Sequence, residues 1–368
     1  MSFIEQLDSC VPDKLTELRL PGASVALIEN GALVAARHYG YADVAKGLPL
    51  TDDTLFQVAS ISKSVAAWGI MKLVEREQLD LDKPVDPYLI RWHLPSSKYD
   101  TARVTPRLLL THCAGVSLSG CSGSPYDQHW YTVLDILNGT TPALDLEQER
   151  YARAWNLDPA AYNQPVHVME QPGTGFCYSG GGFTILELLI EDISGQSFTD
   201  FMRAEVLDPL GMRDSTFELQ ANQSSRVAVP YRDTLEPITL YRTNGKAAGG
   251  LYATIGDLAA FACAEIEGPA GQPPGRGVLR SASIAAMHHP EAYAERLDDM
   301  DIHVGLGHFI MEFQGLKVVQ HTGGNPGWRS VFMVVPERKA GFACLINSAG
   351  GNDLWIDLSR QWAAALLG

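Results

Sequence analysis

From Phe3 to Leu18 the apolar residues fall at Ile4, Leu7, Val11, Leu15 and Leu18, which places them on one helical face. The spacing predicts an amphipathic helix interrupted near Pro12. The period then shortens. Ala23–Glu29 and Ala32–His38 read as strands flanking Asn30-Gly31, the dipeptide that best tolerates the positive φ angles of a type I′ hairpin turn. Four more strands are predicted at His308–Phe313, Leu316–His321, Ser330–Val335 and Gly341–Ile346, before a helix capped by Asn352 and running to Leu367. Between the ends, Ser64–Gln78, Phe183–Ser194, Phe198–Leu207 and Asp257–Glu267 read as helices. Asp80 to Thr174 is rich in turn residues, the pattern of a loop-rich wall around a site. The fold class expected is α/β (α+β). Residues 1–60 and 245–368 would form one α/β domain, an antiparallel sheet with terminal helices, and residues 61–244 an inserted, mainly helical domain. A ligand is expected in the cleft at their junction.

Composition narrows the function. With 368 residues, 46% of them hydrophobic, the chain can bury a sizeable core. Its 28 basic against 43 acidic residues give a net charge of −15, the wrong sign for nucleic acid or anionic lipid, so no nucleic-acid or membrane partner is expected. No apolar run approaches the roughly 18 residues that span a bilayer. Residues 1–8 lack the basic and apolar regions of a secretion signal, so a cytoplasmic location is expected. The six cysteines, Cys10, Cys113, Cys121, Cys177, Cys263 and Cys344, show neither zinc-ligand spacing nor a disulfide framework and read as reduced thiols. No metal or other cofactor is expected.

Three segments carry candidate chemistry. In Phe56–Trp68, Lys63 follows Ser60 by three residues, so one helical turn brings the amine within reach of the hydroxyl. A serine hydroxyl is a poor nucleophile until a neighbouring base takes its proton, and the helix N-terminus favours developing negative charge. Pro172–Gly182 sets Tyr178 on a glycine-rich loop just before a predicted helix. His321-Thr322-Gly323-Gly324 follows a predicted strand, where glycines would leave the strand edge open to a substrate.

Together and in this order, the segments resemble the serine β-lactamase and penicillin-binding-protein superfamily. The resemblance is to its class C-like branch, which also holds D-alanyl-D-alanine carboxypeptidases, D-aminopeptidases and family VIII carboxylesterases. It extends from about residue 20 to 350. Leu108–Gly115 is similar to the family's L-L-T-H-x-S-G, Val206–Met212 to its P-L-G-M, and Ala248–Leu258 to its A-G-G-L-x-S-T-x-x-D-L, where Thr254 and Asp257 suit a capping box. The resemblance implies acyl transfer through a covalent acyl-enzyme. Ser60 would be the nucleophile, and Lys63 and Tyr178 would share the proton network that activates it. The backbone N–H groups of Ser60 and Gly324 would hold the oxyanion. His321 stands where many relatives have Lys and would keep a hydrogen-bonding, largely neutral group facing Tyr178.

Two departures shape the expected substrate. The family's Tyr-x-Asn element reads Tyr178-Ser179-Gly180, without the Asn that binds a substrate amide, and Ala114 replaces the usual Ser. A site built to pair an amide loses heavily when one partner is missing, whereas an ester needs no such partner. Ser179, Gly180, Thr322 and Gly323 are further candidate substrate contacts. The function implied is a carboxylesterase acting on small or medium acyl esters. Amide substrates of a D-aminopeptidase, amidase or β-lactamase would need Ser179, His321 or the loop residues Tyr126, His129 and Trp130 to replace the Asn. An acyltransferase would use the same catalytic residues, and a non-catalytic scaffold could share the fold.

Overall fold

A computed structural model describes residues 2–118, 123–126, 130–154, 157–220, 222–297 and 300–367. The hairpin forms as its turn dipeptide requires: Asn30 and Gly31 adopt φ of 51° and 71°, joining strands Gly22–Glu29 and Ala32–Asp43. Strand Ala340–Ile346 pairs with the other edge of Gly22–Glu29, Ala23 opposite Ile346, so the two ends of the chain meet in one sheet. Outward from there lie Trp328–Val335, Leu316–Asn325, Phe309–Phe313, Met300–Val304 and Ala292–Leu297, and Leu48–Pro49 closes the far edge. The described residues thus form a nine-stranded sheet, antiparallel at every pairing.

Its central strands are apolar on both faces because both are covered. Val25, Leu27, Val331, Phe342 and Cys344 pack against Leu7, Val11 and Leu15 of helix Phe3–Glu17 and Leu354, Leu358 and Trp362 of helix Asn352–Leu367. Ala26, Ile28, Phe332, Ala343 and Leu345 enter the larger core with helices Ile61–Glu75, Gly180–Ser194 and Ile255–Ala264. The alternation of neighbouring residues between these two cores is the period-two geometry of a strand.

Several boundaries differ from the sequence expectation. The first helix runs unbroken through Pro12, opened by a Ser2–Glu5 capping box. The helix expected at Ser64 starts at Ile61, directly after Ser60. The one expected at Phe183 starts at Gly180, because the Ser179 hydroxyl accepts the Gly182 N–H at 2.8 Å and so caps a start made of three glycines. Thr254 caps its helix as expected, but the Asp257 carboxylate turns instead to the backbone and hydroxyl of Ser215. No described helix is long and apolar enough to cross a membrane.

Candidate active site

Ser60 occupies the N-cap of helix Ile61–Glu75, yet its hydroxyl makes no capping bond. It adopts helical dihedrals, φ −64° and ψ −11°, instead of the extended ones a capping serine takes. Its Oγ is thereby left to two other groups. Lys63 Nζ donates to it at 3.2 Å and the Tyr178 hydroxyl donates at 2.9 Å. Ala59, immediately before it, holds a left-handed φ of 49°, a strained backbone at the turn that presents the hydroxyl.

Lys63 is 1% exposed, and its ammonium is also gripped by the Ala248 carbonyl. That carbonyl belongs to the Ala-Gly-Gly segment, which supplies the second anchor of the buried cation. Neighbouring polar groups fix the helix itself: Ser62 Oγ accepts the Leu251 N–H at 2.9 Å and Ser64 Oγ donates to the Gly307 carbonyl at 2.7 Å.

The His321–Gly324 segment lies on strand Leu316–Asn325. Pairing with Phe309–Phe313 ends at Gln320, whereas pairing with Trp328–Val335 continues through Asn325, so residues 321–325 have one edge without a strand neighbour among the described residues. That edge faces the cleft that Ser60, Lys63 and Tyr178 also line. Gly323 is glycine for a steric reason: a Cβ there would lie 2.3 Å from both the Val58 carbonyl and Ser330 Oγ. His321 is buried, and Nδ1 lies 2.6 Å from the Thr322 carbonyl, which identifies it as the nitrogen carrying the proton in the neutral ring. Burial, and then the Lys63 ammonium, push its pKa down to about 3, so the ring is neutral throughout the physiological range.

The cleft encloses about 510 Å³. It brings together Ser60, Lys63, Tyr178, His321, Thr322, Gly323 and Gly324, with an apolar wall that includes Leu118, Leu144, Leu157, Tyr162 and Phe309. It does not bring in Ser179 or Gly180. The Ser179 hydroxyl caps its helix and donates to the Ser117 carbonyl at 2.7 Å, and Gly180 is buried as the first helical residue. Of the loop residues weighed as substitutes for the missing Asn, Tyr126 donates to the Leu219 carbonyl, Trp130 and Tyr126 stack on the Arg242 guanidinium, and His129 lies outside the described residues. Among the described cysteines Cys10, Cys113, Cys177, Cys263 and Cys344 are free, and burial pushes the Cys177 thiol up from its ordinary value. Cys121 lies outside the described residues.

Sequence reasoning missed Gln57 and Asn325. Each adjoins a motif, three residues before Ser60 and one after Gly324, but neither belongs to a recognisable pattern. Asn325 Nδ2 donates to Gln57 Oε1 at 2.8 Å and to Thr243 Oγ1 at 3.2 Å, while Gln57 Nε2 donates to the Tyr252 hydroxyl at 2.7 Å. Gln148 Nε2 likewise donates to the Gly123 carbonyl at 2.6 Å. The amide nitrogens of these three cleft residues are committed to protein partners.

The beta-lactamase family model matches residues 7–367. The esterase EstB of Burkholderia gladioli is 32% identical over 235 residues, 63% of this chain, which spans 55% of that esterase's length. The mouse mitochondrial serine beta-lactamase-like protein LACTB is 25% identical over 87% of this chain and 70% of its own length. Among solved structures, the octameric penicillin-binding protein homologue of Pyrococcus abyssi superimposes with a TM-score of 0.76 at 27% identity, covering 99% of this chain and 77% of that one. A class C beta-lactamase gives the same score at 21% identity, covering 100% of this chain and 97% of that one, a likeness of fold.

Proposed function

Because the chain belongs to the beta-lactamase family, we propose that it is a serine hydrolase working through an acyl-enzyme at Ser60, and that its substrates are small or medium acyl esters. The observation that carries the mechanism is the pair of contacts on Ser60 Oγ, 3.2 Å from Lys63 Nζ and 2.9 Å from the Tyr178 hydroxyl. In the reactive form the Tyr178–Lys63 pair holds one proton fewer than phenol plus ammonium, and as Ser60 attacks the carbonyl carbon of the ester its proton fills that vacancy on the Tyr178 oxygen. Tyr178 returns a proton to the departing alcohol oxygen, and the carbonyl π electrons move onto the oxyanion and back as the C–O bond breaks. Water then attacks the acyl-Ser60 ester, giving its proton to the same pair, and that proton returns to Ser60 Oγ as the acyl C–O bond breaks and the carboxylic acid leaves. The N–H groups of Ser60 and Gly324 are proposed oxyanion donors, typically worth about 3 kcal/mol each. Retention of a Lys63 ammonium buried between Ser60 and Ala248 argues against a silent scaffold, since an unused buried charge is costly.

Ester preference is supported by Gly180 standing where an amide-binding Asn would be, and by the amide nitrogens of Gln57, Gln148 and Asn325 being held by protein partners. The EstB likeness points the same way. The test compares wild type, Ser60→Ala and Tyr178→Phe on p-nitrophenyl acetate, p-nitrophenyl butyrate, nitrocefin and a D-alanyl-p-nitroanilide. Ester turnover abolished by Ser60→Ala, with little turnover of the last two compounds, is expected. Efficient hydrolysis of nitrocefin or the D-alanyl amide would overturn the ester assignment.

A further inference from the structure

His112, in the Leu108–Gly115 segment, contributes no atom to the cleft lining, yet its contacts converge on Tyr178. It follows the short helix Pro106–Leu110 and is one of the residues with a left-handed backbone, φ 56°. This conformation is uncommon for residues other than glycine, and histidine is among those that adopt it most readily. Its consequence is that both acceptors of His112 reach the same loop. The His112 carbonyl accepts the Cys177 N–H at 2.7 Å, and Nδ1 accepts the Ser179 N–H at 3.1 Å. These are the N–H groups of the two residues that flank Tyr178.

The ring adds a third contact. Its centroid lies 4.3 Å from that of the Tyr178 ring at 33°, while Phe309 lies nearly parallel to Tyr178 at 6.5 Å and 16°. Phe183 backs the imidazole at 5.2 Å. Since Nδ1 must offer a lone pair to Ser179, the proton of the neutral ring is on Nε2. Burial, the Lys63 ammonium and His321 all hold His112 well below its ordinary pKa, which keeps that lone pair available.

We propose that His112 is the positioning residue for Tyr178, clamping the main chain on both sides of it and packing on its ring so that the phenol meets Ser60 Oγ in line. The proposal rests on the reading of Tyr178 as the proton-transfer group. A displacement of about 1 Å at such a group can cost about 100-fold in rate, so the effect belongs in kcat and not in KM.

Two variants separate the contacts. His112→Asn places Oδ1 near the position of Nδ1 and keeps the acceptor while losing the ring. His112→Phe keeps a ring and strands the Ser179 N–H. On p-nitrophenyl butyrate, His112→Phe is expected to lower kcat about 100-fold with KM within threefold of wild type, and His112→Asn to recover activity to within tenfold. A double-mutant cycle with Tyr178→Phe supplies the decisive readout, because contacting residues that act as a unit are not additive. His112→Phe should cost less than threefold once the phenol is gone. Should the Phe variant not fold by circular dichroism, His112→Ser, which admits water to the Ser179 N–H, takes its place in the cycle.

Additive effects in the cycle, or kcat within threefold of wild type for the Phe or Ser variant, would overturn the proposal. So would equal losses in the Asn and Phe variants that simply track a fall in Tm. Failure of the underlying mechanism looks different: Tyr178→Phe itself would then retain near wild-type turnover.

Discussion

Behind the catalytic helix lies a buried carboxylate whose removal should be among the costliest single changes in the protein. Glu265 is 1% exposed and accepts three hydrogen bonds, from Trp68 Nε1 at 2.8 Å, His288 Nε2 at 2.7 Å and His308 Nε2 at 3.2 Å. Burial alone would raise this carboxyl, but the charges and hydrogen bonds of His308 and His288 outweigh it and hold the pKa well below the usual carboxylate range. Glu265→Gln preserves shape, removes the charge and turns an NH₂ toward a group of donors. Breaking a buried ionic network from one side costs about 3–5 kcal/mol. At 2–4 °C per kcal/mol for domains of up to about 250 residues, and less for a longer chain, Tm should fall by roughly 5–10 °C.

The pH dependence carries a sign. With its folded pKa depressed, Glu265 contributes stability above the unfolded carboxylate value near 4.3 and loses it as the pH falls further. His288, lowered mainly by burial, also binds fewer protons when folded, so acidification below about pH 6.5 destabilises the wild type in the same direction. Thermal unfolding of wild type and Glu265→Gln from pH 8 to pH 3 should show a wide gap that narrows below pH 4. A Tm loss under about 2 °C at pH 7.5, or a gap that fails to narrow below pH 4, would refute the reasoning.

Other consequences follow from single positions. Glu187 is buried on helix Gly180–Ser194, accepts the Ala247 N–H at 2.9 Å and is raised to about 8 by burial. Its folded form therefore binds the extra proton, and urea denaturation should show Glu187→Gln gaining on wild type by a few kcal/mol at most between pH 5 and pH 9. Gly323→Ala forces a Cβ to 2.3 Å from the Val58 carbonyl, next to Ala59 and Ser60. It should cost about 1–3 kcal/mol of stability by thermal unfolding, together with most of the ester turnover. His321, with a pKa of about 3, should contribute no limb to the pH–rate profile between pH 5 and pH 9, so the profile of His321→Gln should parallel that of wild type.

How much was legible in the sequence depended on whether local or distant contacts decide. The Asn30-Gly31 turn and the four strands toward the C-terminus are local patterns and appear within a few residues of their expected bounds. The Ser60–Lys63 contact follows from one helical turn. Strands Ala292–Leu297 and Met300–Val304 went unread because they carry Tyr293, Glu295, Arg296 and Asp301 at the sheet margin, where Ala292–Leu297 forms the edge and alternation is weak. The unbroken helix through Pro12 depends on the apolar face it buries against the sheet, a tertiary contact that outweighs local propensity. His321 reads as a group near its reference pKa until its burial is known. Gln57 and Asn325, 268 positions apart, could not be paired from the sequence at all.

The central claim is that acyl groups pass through Ser60. Intact-mass spectrometry and peptide mapping after a fluorophosphonate probe, run in parallel on wild type and Ser60→Ala, test it most directly. The account predicts a single adduct on wild type, mapped to the peptide containing Ser60, and none on the variant. An adduct that persists in Ser60→Ala, or an unlabelled wild type that still turns over p-nitrophenyl butyrate, would contradict it.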